Sequence, residues 1–415
     1  MTIESIQTIT PSEAHVILPL SYEITVVMPC LNEAETLAVC IGKAMRALEI
    51  NGIVGEVIVA DNGSTDGSQQ IALESGARLV NVPVRGYGAA LMAGIKAANG
   101  PFVLMADADD SYDFDHIPRF LDRLNCGADL VMGNRFEGGV KPGAMPFLHK
   151  YLGNPVLSLI GQILFGAPVK DFHCGMRGFT RSAFDRMNLR TTGMEFASEM
   201  VVKATLLNMN IVEVATTLSP DGRSRSPHLR TWRDGWRHLR FLLLYSPRWL
   251  FLYPGLLMMI VGGLASAWLL PRERSIGSVY LDVDTLLYTL ACLLIGFHAT
   301  VFSVSAKVFA IAEGLLPEDP RFSRWFRYIT LETGLLAGLF LLSLGLGGTA
   351  YALLLWKSSG FGPLSARSML RLTMPSAVAL MLSAEIFFSS FFLSMMGMSR
   401  KNASPIDPAK SSAEK

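Results

Sequence analysis

Two hydrophobic patterns divide this chain near residue 245. Before that point, short apolar or β-branched runs alternate with stretches of helical periodicity. Ile24–Met28, Glu56–Ala60, Leu79–Val82, Phe102–Ala106 and Asp129–Met132 predict strands. Ala34–Leu48, Ser68–Ser75, Gly88–Asn99 and Phe114–Leu124 predict helices between them. Strands alternating with helices imply βαβ units and a mainly parallel sheet. After that point come four long apolar stretches: Trp249–Leu270, Leu286–Ile311, Ile329–Trp356 and Met374–Met398. Each is long enough to cross a hydrocarbon core, which takes about 20 helical residues. The expected architecture is an α/β domain followed by an α-helical membrane domain of four transmembrane helices.

Composition supports this division. The 415 residues are 50% hydrophobic and only 17% charged, too apolar for an ordinary soluble enzyme. A net charge of +1 gives no reason to expect a nucleic-acid partner. The local distribution says more. Seven arginines from Arg223 to Arg248 crowd the approach to the first span. Arg321, Arg324 and Arg327 fall between the second and third spans, and Arg400 and Lys401 follow the fourth. The positive-inside rule puts all three regions in the cytoplasm, although Lys357, Arg367 and Arg371 then lie on the outer side against the rule. The five cysteines are scattered, with no metal-binding spacing, and a disulfide framework is not expected. The polar start predicts a poorly ordered segment without a signal peptide.

In open α/β sheets, ligands bind beyond the carboxyl ends of the strands. The polar clusters fall there: Pro29–Glu33 after the first strand, Asp61–Asp66 after the second, Asp107–Asp109 after the fourth and Gly133-Asn134-Arg135 after the fifth. Two carboxylates one residue apart at a strand end, Asp107 and Asp109, suit a hard cation such as Mg²⁺ or Mn²⁺ that keeps open positions for phosphate oxygens. The same spacing recurs at Asp113-Phe114-Asp115, expected to open a helix, and at Asp282-Val283-Asp284, expected in a loop. Position therefore carries the assignment. Asp61–Gly67 reads either as a turn with a helix cap or as a nucleoside contact through Asp61. Arg85-Gly86-Tyr87-Gly88 lacks the Gly-Lys-Ser/Thr ending of a P-loop; it reads as a flexible loop over the nucleotide edge or as a helix start. Trp232–Trp249 mixes basic and aromatic residues as an interfacial helix does. Glu385, near the middle of the fourth span, is costly there unless neutral, paired or facing water, and His298 or Lys307 could pair with it.

Together these residues resemble family 2 glycosyltransferases of the GT-A fold, of the dolichyl- and polyprenyl-phosphate sugar synthase type. The resemblance rests on Val27–Glu33, Asp61–Asp66, Asp107-Ala108-Asp109, Gly133–Phe136 and Asp171–Phe179, and it covers roughly Tyr22–Asp221. It implies a Rossmann-like nucleotide-sugar transferase domain in which Pro29, Asn32, Glu33 and Asp61 form the donor side. Asp107 and Asp109 would hold the metal and the donor diphosphate, and Arg135 and Arg177 the acceptor phosphate. Asn62 stands where the family commonly has a second Asp, Asp110 adds a third carboxylate, and the family's Arg-rich acceptor loop is matched only loosely by Arg223–Arg230. Glu195 and Glu199 would face the acceptor end or brace arginines.

The expected organisation is a flexible segment over residues 1–20, the transferase domain over 21–230, an amphipathic interfacial region over 231–248, the four-helix membrane domain over 249–400 and a polar cytoplasmic tail over 401–415. The implied activity is inverting transfer of a hexose from UDP-glucose or GDP-mannose to a polyprenyl phosphate. It would take place at the cytoplasmic face of a membrane, the bacterial inner membrane being the natural setting. The partners are the nucleotide-sugar, the polyprenyl phosphate and the bilayer, with a homo-oligomer left open. The alternatives are a processive polysaccharide synthase and a non-catalytic membrane scaffold or lipid-translocating partner. The first carries a Gln-x-x-Arg-Trp motif, and the nearest fragment here, Ser246-Pro247-Arg248-Trp249, lacks the Gln. The second has no use for an intact acidic pair.

Overall fold

The computed structural model describes residues 22–224, 231–318, 322, 324 and 330–402. The expected flexible segment over residues 1–20 lies outside them, as do residues 403–415 of the expected tail, Arg225, Arg230, Arg321, Arg327 and the side chains of Arg400 and Lys401. The chain forms two compact units. The first comprises Met1–Leu152, His173–Ala197 and Met209–His228; the second comprises Gly153–Phe172, Ser198–Asn208 and Leu229–Lys415.

The first unit is built on a seven-stranded sheet. Its strands are β1 (Ile24–Cys30), β2 (Gly55–Asp61), β3 (Arg78–Asn81), β4 (Phe102–Met105), β5 (Leu130–Asn134), β6 (Arg177–Thr180) and β7 (Ile211–Ala215), in the order β3-β2-β1-β4-β6-β5-β7. All neighbours pair in parallel except β6, which runs antiparallel to both β4 and β5. The five expected strands are present within a few residues. The antiparallel wedge β6 and the outer strand β7 were not anticipated. The wedge has a positional consequence: the carboxyl ends of β1, β2, β4 and β5 share one edge of the sheet, and β6 brings its amino end there. Arg177, the first residue of β6, is paired in register with both Met105 and Met132.

Helix periodicity explains the packing. In α1 (Leu37–Ile50) the buried residues are Leu37, Cys40, Ile41, Ala44, Ala47 and Leu48, one stripe along the helix. They join Ile24, Val26 and Met28 of β1 in a single core. In α4 (Ile117–Asn125), Ile117, Phe120, Leu121 and Leu124 do the same. Fully burying each such side chain is worth about 1.5–3 kcal/mol. The sheet edge therefore rests on a rigid base.

The second unit holds four helices long and apolar enough to span a membrane. The first starts as a wide turn, Arg248–Leu252, and continues as α10 (Tyr253–Leu269). The others are α11 (Val283–Ala312), α12 (Leu331–Ser358) and α13 (Ala366–Asn402). The last begins about two turns before the expected Met374 and runs through Pro375. Hydropathy missed those turns because they carry Arg367 and Arg371. Local side-chain bonds flank the proline: Ser376 Oγ donates to the Leu372 carbonyl at 2.7 Å and Thr373 Oγ1 to that of Met369 at 2.9 Å. Helix α10 packs closely on α11: a β-carbon at Gly262 would lie 2.6 Å from both the Thr289 carbonyl oxygen and the Leu293 nitrogen. Between these helices, the expected loop contains a small hairpin, Arg274–Ile276 with Val279–Leu281.

Polar groups join the pairs of helices. His298 of α11 meets Glu385 of α13 at 2.8 Å, whereas Lys307 lies over the Phe322 ring, 4.2 Å from its centroid. At the α13 start, Arg371 binds Asp282 at 2.6 Å, the Leu270 carbonyl at 3.1 Å and the Leu269 carbonyl. Arg367 also binds Asp282, at 3.0 Å. Two of the three cations that oppose the positive-inside rule are thus matched to a carboxylate and to the carboxyl end of a helix.

Candidate active site

The β1 and β2 ends are stitched together. Asn32 adopts a left-handed backbone, which Asn tolerates better than most residues. Its amide donates to Ser64 Oγ at 2.8 Å, and its Oδ1 accepts from the Thr65 amide at 2.8 Å. The Glu33 amide donates to Ser68 Oγ at 2.9 Å, and the Ala34 amide to Asp66 at 2.9 Å. Asp61 is buried and accepts from the Gly63 and Ser64 amides and from Gln69 Nε2 at 2.6 Å. Its carboxylate shapes the turn, as one of the two sequence readings has it. Pro29 lies within β1, two positions before Leu31. Asn62 donates to the carbonyls of Val82 at 3.2 Å and Val84 at 2.7 Å, and accepts from the Gly86 amide at 2.6 Å. A carboxylate could not donate to two carbonyls, so Asn suits this bracing of the 82–88 segment.

That segment leads into α3 (Tyr87–Ala97). Arg85-Gly86-Tyr87-Gly88 is thus a helix start, and it also reaches the acidic pair, because Tyr87 donates its hydroxyl to Asp107 Oδ1 at 3.0 Å. On the other side of Asp107, a β-carbon at Gly175 would collide with Oδ2 and lie 3.0 Å from the Tyr112 hydroxyl. Tyr112 in turn accepts from the Gly175 amide at 2.7 Å. Gly175 therefore leaves the space that Asp107 occupies. Burial, reinforced by the charge of Asp109, pushes the Asp107 carboxyl up to about 6 despite the Tyr87 hydrogen bond and the nearby charges of Arg223 and Arg135.

Asp109 Oδ1 accepts from the Ser111 amide at 3.1 Å and its hydroxyl at 2.6 Å. Its Oδ2 accepts from Arg223 at 2.8 Å. Asp110, with a left-handed backbone, turns to Lys43 at 2.6 Å, so the third carboxylate has its own cation. Asp113 caps the short turn Phe114–His116 by accepting from the Asp115 amide, as expected of that Asp-x-Asp. Asp282 serves the arginine cluster of the membrane unit.

At the β5 end, Asn134 caps a helical turn, Arg135–Gly138, by accepting from the Glu137 amide at 3.0 Å. Arg135 is buried just beyond it. Arg177 is wholly buried and donates to the carbonyls of Cys174 at 2.8 Å and Ala197 at 2.5 Å. The end of β5 thus brings Arg135, and the start of the β6 wedge brings Arg177, to the edge that carries Asp107. Glu195 precedes the helix Phe196–Leu206, and Glu199, within it, pairs with Lys203 at 2.8 Å with both side chains buried.

Arg223 belongs both to the basic run before the first span and to the loose match to the family's acceptor loop. Its guanidinium reaches Glu33 at 3.1 Å, Asp109 at 2.8 Å and Asp221 at 3.0 Å. It sits 114 positions from Asp109 in sequence, and neither pattern placed it against the acidic pair.

A divalent cation fits the donor set. Two neighbouring carboxylates, one with a raised pKa and the other holding a guanidinium, mark a place that calls for positive charge. Among the described residues no cluster of three or more Asp, Glu, His or Cys side chains could hold a metal. A cation bound by Asp107 and Asp109 would need further oxygen ligands from its substrate.

The mixed, mostly parallel seven-stranded sheet with acidic strand ends is a Rossmann-like fold of the GT-A kind. Residues 25–187 match glycosyltransferase family 2, and residues 301–397 match the family 2 C-terminal transmembrane region. The chain is 36% identical over 378 residues to the low-salt glycan biosynthesis hexosyltransferase Agl6 of Haloferax volcanii, covering 90% of this chain and 89% of that one. It is 32% identical over 193 residues to a dolichyl-phosphate hexose transferase of the same organism, covering 46% and 81%. Glucosyl-3-phosphoglycerate synthase from Mycobacterium tuberculosis, solved with Mn²⁺ and UDP-glucose, aligns with a TM-score of 0.42 at 23% identity over 54% of this chain and 79% of that one. The chain belongs to glycosyltransferase family 2. It is an enzyme and an integral membrane protein.

Proposed function

We propose that this enzyme transfers a hexose from a nucleotide-sugar to a polyprenyl phosphate, with inversion at the anomeric carbon. The observation that carries this reading is the convergence of Asp107, Asp109, Arg135 and Arg177 on one sheet edge in a chain that continues into membrane helices. The names of the hexosyltransferase and dolichyl-phosphate relatives support the sugar and the lipid. Pro29, Asn32, Glu33 and Asp61 form the nucleoside side. Asp107 and Asp109 hold Mg²⁺ or Mn²⁺, which when bound neutralises charge on the leaving diphosphate. Arg135, just after β5, and the buried Arg177, at the start of β6, favour the acceptor phosphate by charge.

The chemistry asks little of a base. A phosphate monoester with a second pKa near 6 is already mostly anionic at neutral pH. Its oxygen attacks the anomeric carbon as the nucleoside diphosphate leaves from the opposite face. Tyr87 and Gly175 fix Asp107, and Ser111 fixes Asp109, so the carboxylates are positioned before substrate arrives. The residues assigned to the transferase domain lie between 21 and 230, with the interfacial region over 231–248, the spans over 249–400 and the tail over 401–415. Exposed Trp232 and Trp236, with Arg233 and Arg237, suit a headgroup layer. Cytoplasmic placement of the catalytic part follows from the arginines before the first span.

The test supplies purified full-length protein with UDP- and GDP-sugars, extracted polyprenyl phosphate and Mg²⁺ or Mn²⁺. A lipid-linked monosaccharide is expected. A polymer would establish the processive synthase instead, and no turnover with any donor would leave the scaffold reading standing.

A further inference from the structure

The carboxylate best placed for a metal is already neutralised by the chain itself. Arg223 spans Glu33, Asp109 and Asp221, and its side chain is only 11% exposed. The segment that carries it is pinned on both sides of the guanidinium. The Ser219 amide donates to the Ser111 carbonyl at 2.8 Å and the Gly222 amide to the Asp109 carbonyl at 3.0 Å. Beyond Arg223, Ser224 donates to Glu35 through its amide at 2.6 Å and its hydroxyl at 2.5 Å. Residues 218–224 therefore form a strap across the acidic strand ends, with a cation where the acids meet.

We propose that Arg223 is a latch: a built-in cation that keeps Asp109 from taking up free metal and gives it up when metal arrives with nucleotide. The proposal rests on the assignment of Asp107 and Asp109 to a divalent cation. Both oxygens of Asp109 are engaged. Oδ1 is held by Ser111, and Oδ2 by the guanidinium. A metal ion on Oδ2 would sit beside a like charge, so each disfavours the other at this carboxylate. The strap can yield at one end without disturbing the sheet, because the Ser224–Glu35 tie is solvent-exposed and such ties are weak. Metal alone must displace the guanidinium into solvent. Metal with a diphosphate brings an anion that offsets the released charge. Free metal should therefore bind weakly, and metal and nucleotide should bind with positive coupling.

Mn²⁺ binding to the full-length protein in detergent tests this, measured by the loss of the free-ion paramagnetic resonance signal with and without UDP or GDP. Arg223→Gln should bind Mn²⁺ alone about tenfold more tightly than wild type and lose most of the coupling. Glu35→Ala loosens the strap without touching the acidic pair. It should shift binding in the same direction by less, and it keeps the test open if Arg223→Gln unfolds on thermal melting. If neither variant tightens binding of Mn²⁺ alone and Arg223→Gln weakens only the nucleotide, Arg223 is a donor ligand and the latch is wrong. Asp109→Asn separates the two ideas. If it takes up Mn²⁺ with nucleotide as well as wild type does, the metal assignment itself fails.

Discussion

The Tyr87 hydroxyl donates to Asp107 Oδ1 at 3.0 Å and so ties the start of α3 to the carboxyl end of β4. The bond favours the charged carboxylate against burial and against Asp109, which together raise Asp107 to about 6. Tyr87→Phe removes that support, so the pH at which metal binding is half lost should move upward. Mn²⁺ titrations from pH 5 to 8 check the direction.

The same raised pKa acts on stability. Between about 4 and 6 the unfolded chain releases the Asp107 proton before the folded chain does, so this group favours folding at low pH and that advantage is lost as pH rises through about 6. Above that pH the folded protein carries a carboxylate that its surroundings resist. Mn²⁺ with nucleotide should therefore raise the melting temperature more at pH 7.5 than at pH 5. Equal shifts at both would argue against Asp107 as a ligand.

Asp109→Asn should reduce sugar transfer by two orders of magnitude or more while the fold survives, a loss of the size expected when a preorganised charge is removed. Asp284→Asn touches the first turn of α11, where an acidic residue contributes about 0.3–1 kcal/mol at most. Its transfer rate should be near normal. Comparable losses in the two variants would end the distinction.

Asn62→Asp replaces a donor to two carbonyls with an acceptor that faces them. Leaving those groups unmatched should cost about 1–3 kcal/mol in stability and loosen the segment that carries Tyr87. A denaturation curve superimposable on wild type would show that the segment does not depend on Asn62.

Reporter fusions after Arg400 should report cytoplasm, and a fusion within Gly277–Asp282 should report the opposite side. Arg367 and Arg371 do not oppose this orientation as the bare sequence suggests, because Asp282 and the end of α10 hold them. A shared location for the two fusions would overturn the four-span topology.

Glu385→Gln keeps a hydrogen-bonding group for His298 and should leave transfer intact, whereas Glu385→Leu should lower thermal stability in detergent. A double-mutant cycle with His298→Leu should give a coupling of roughly 0.6–1.7 kcal/mol, the range seen for bonds between membrane helices. Selective loss of transfer in Glu385→Gln, with stability unchanged, would place the residue in the chemistry.

How much of this could be read from the chain depends on sequence distance. The parallel strands announce themselves because burial on both faces leaves continuous apolar runs, as in Phe102–Ala106. The wedge β6 does not: it spans only Arg177–Thr180 and begins with a buried arginine, so hydropathy passes over it. Asp107 and Asp109 stand out because they directly follow a strand, and Arg135 because it does too. The pairing of Glu385 with His298 was one of two named options, and depth in the span was the useful clue. Arg223 and the Asn62 bracing are contacts made by folding across long separations, and residue type alone carries no trace of them.

The clasp of Arg367 and Arg371 on Asp282 and the end of α10 has a consequence for biosynthesis. The acceptor groups belong to the first two spans and are made early; the arginines belong to the last span and are made late. As the chain emerges, Asp282 and the Leu270 carbonyl must wait for Arg371, 89 and 101 residues further on. A chain that stops short of α13 keeps the end of α10 without its arginine cap and Asp282 without these two cations, so this clasp closes only once the fourth span has joined the first two.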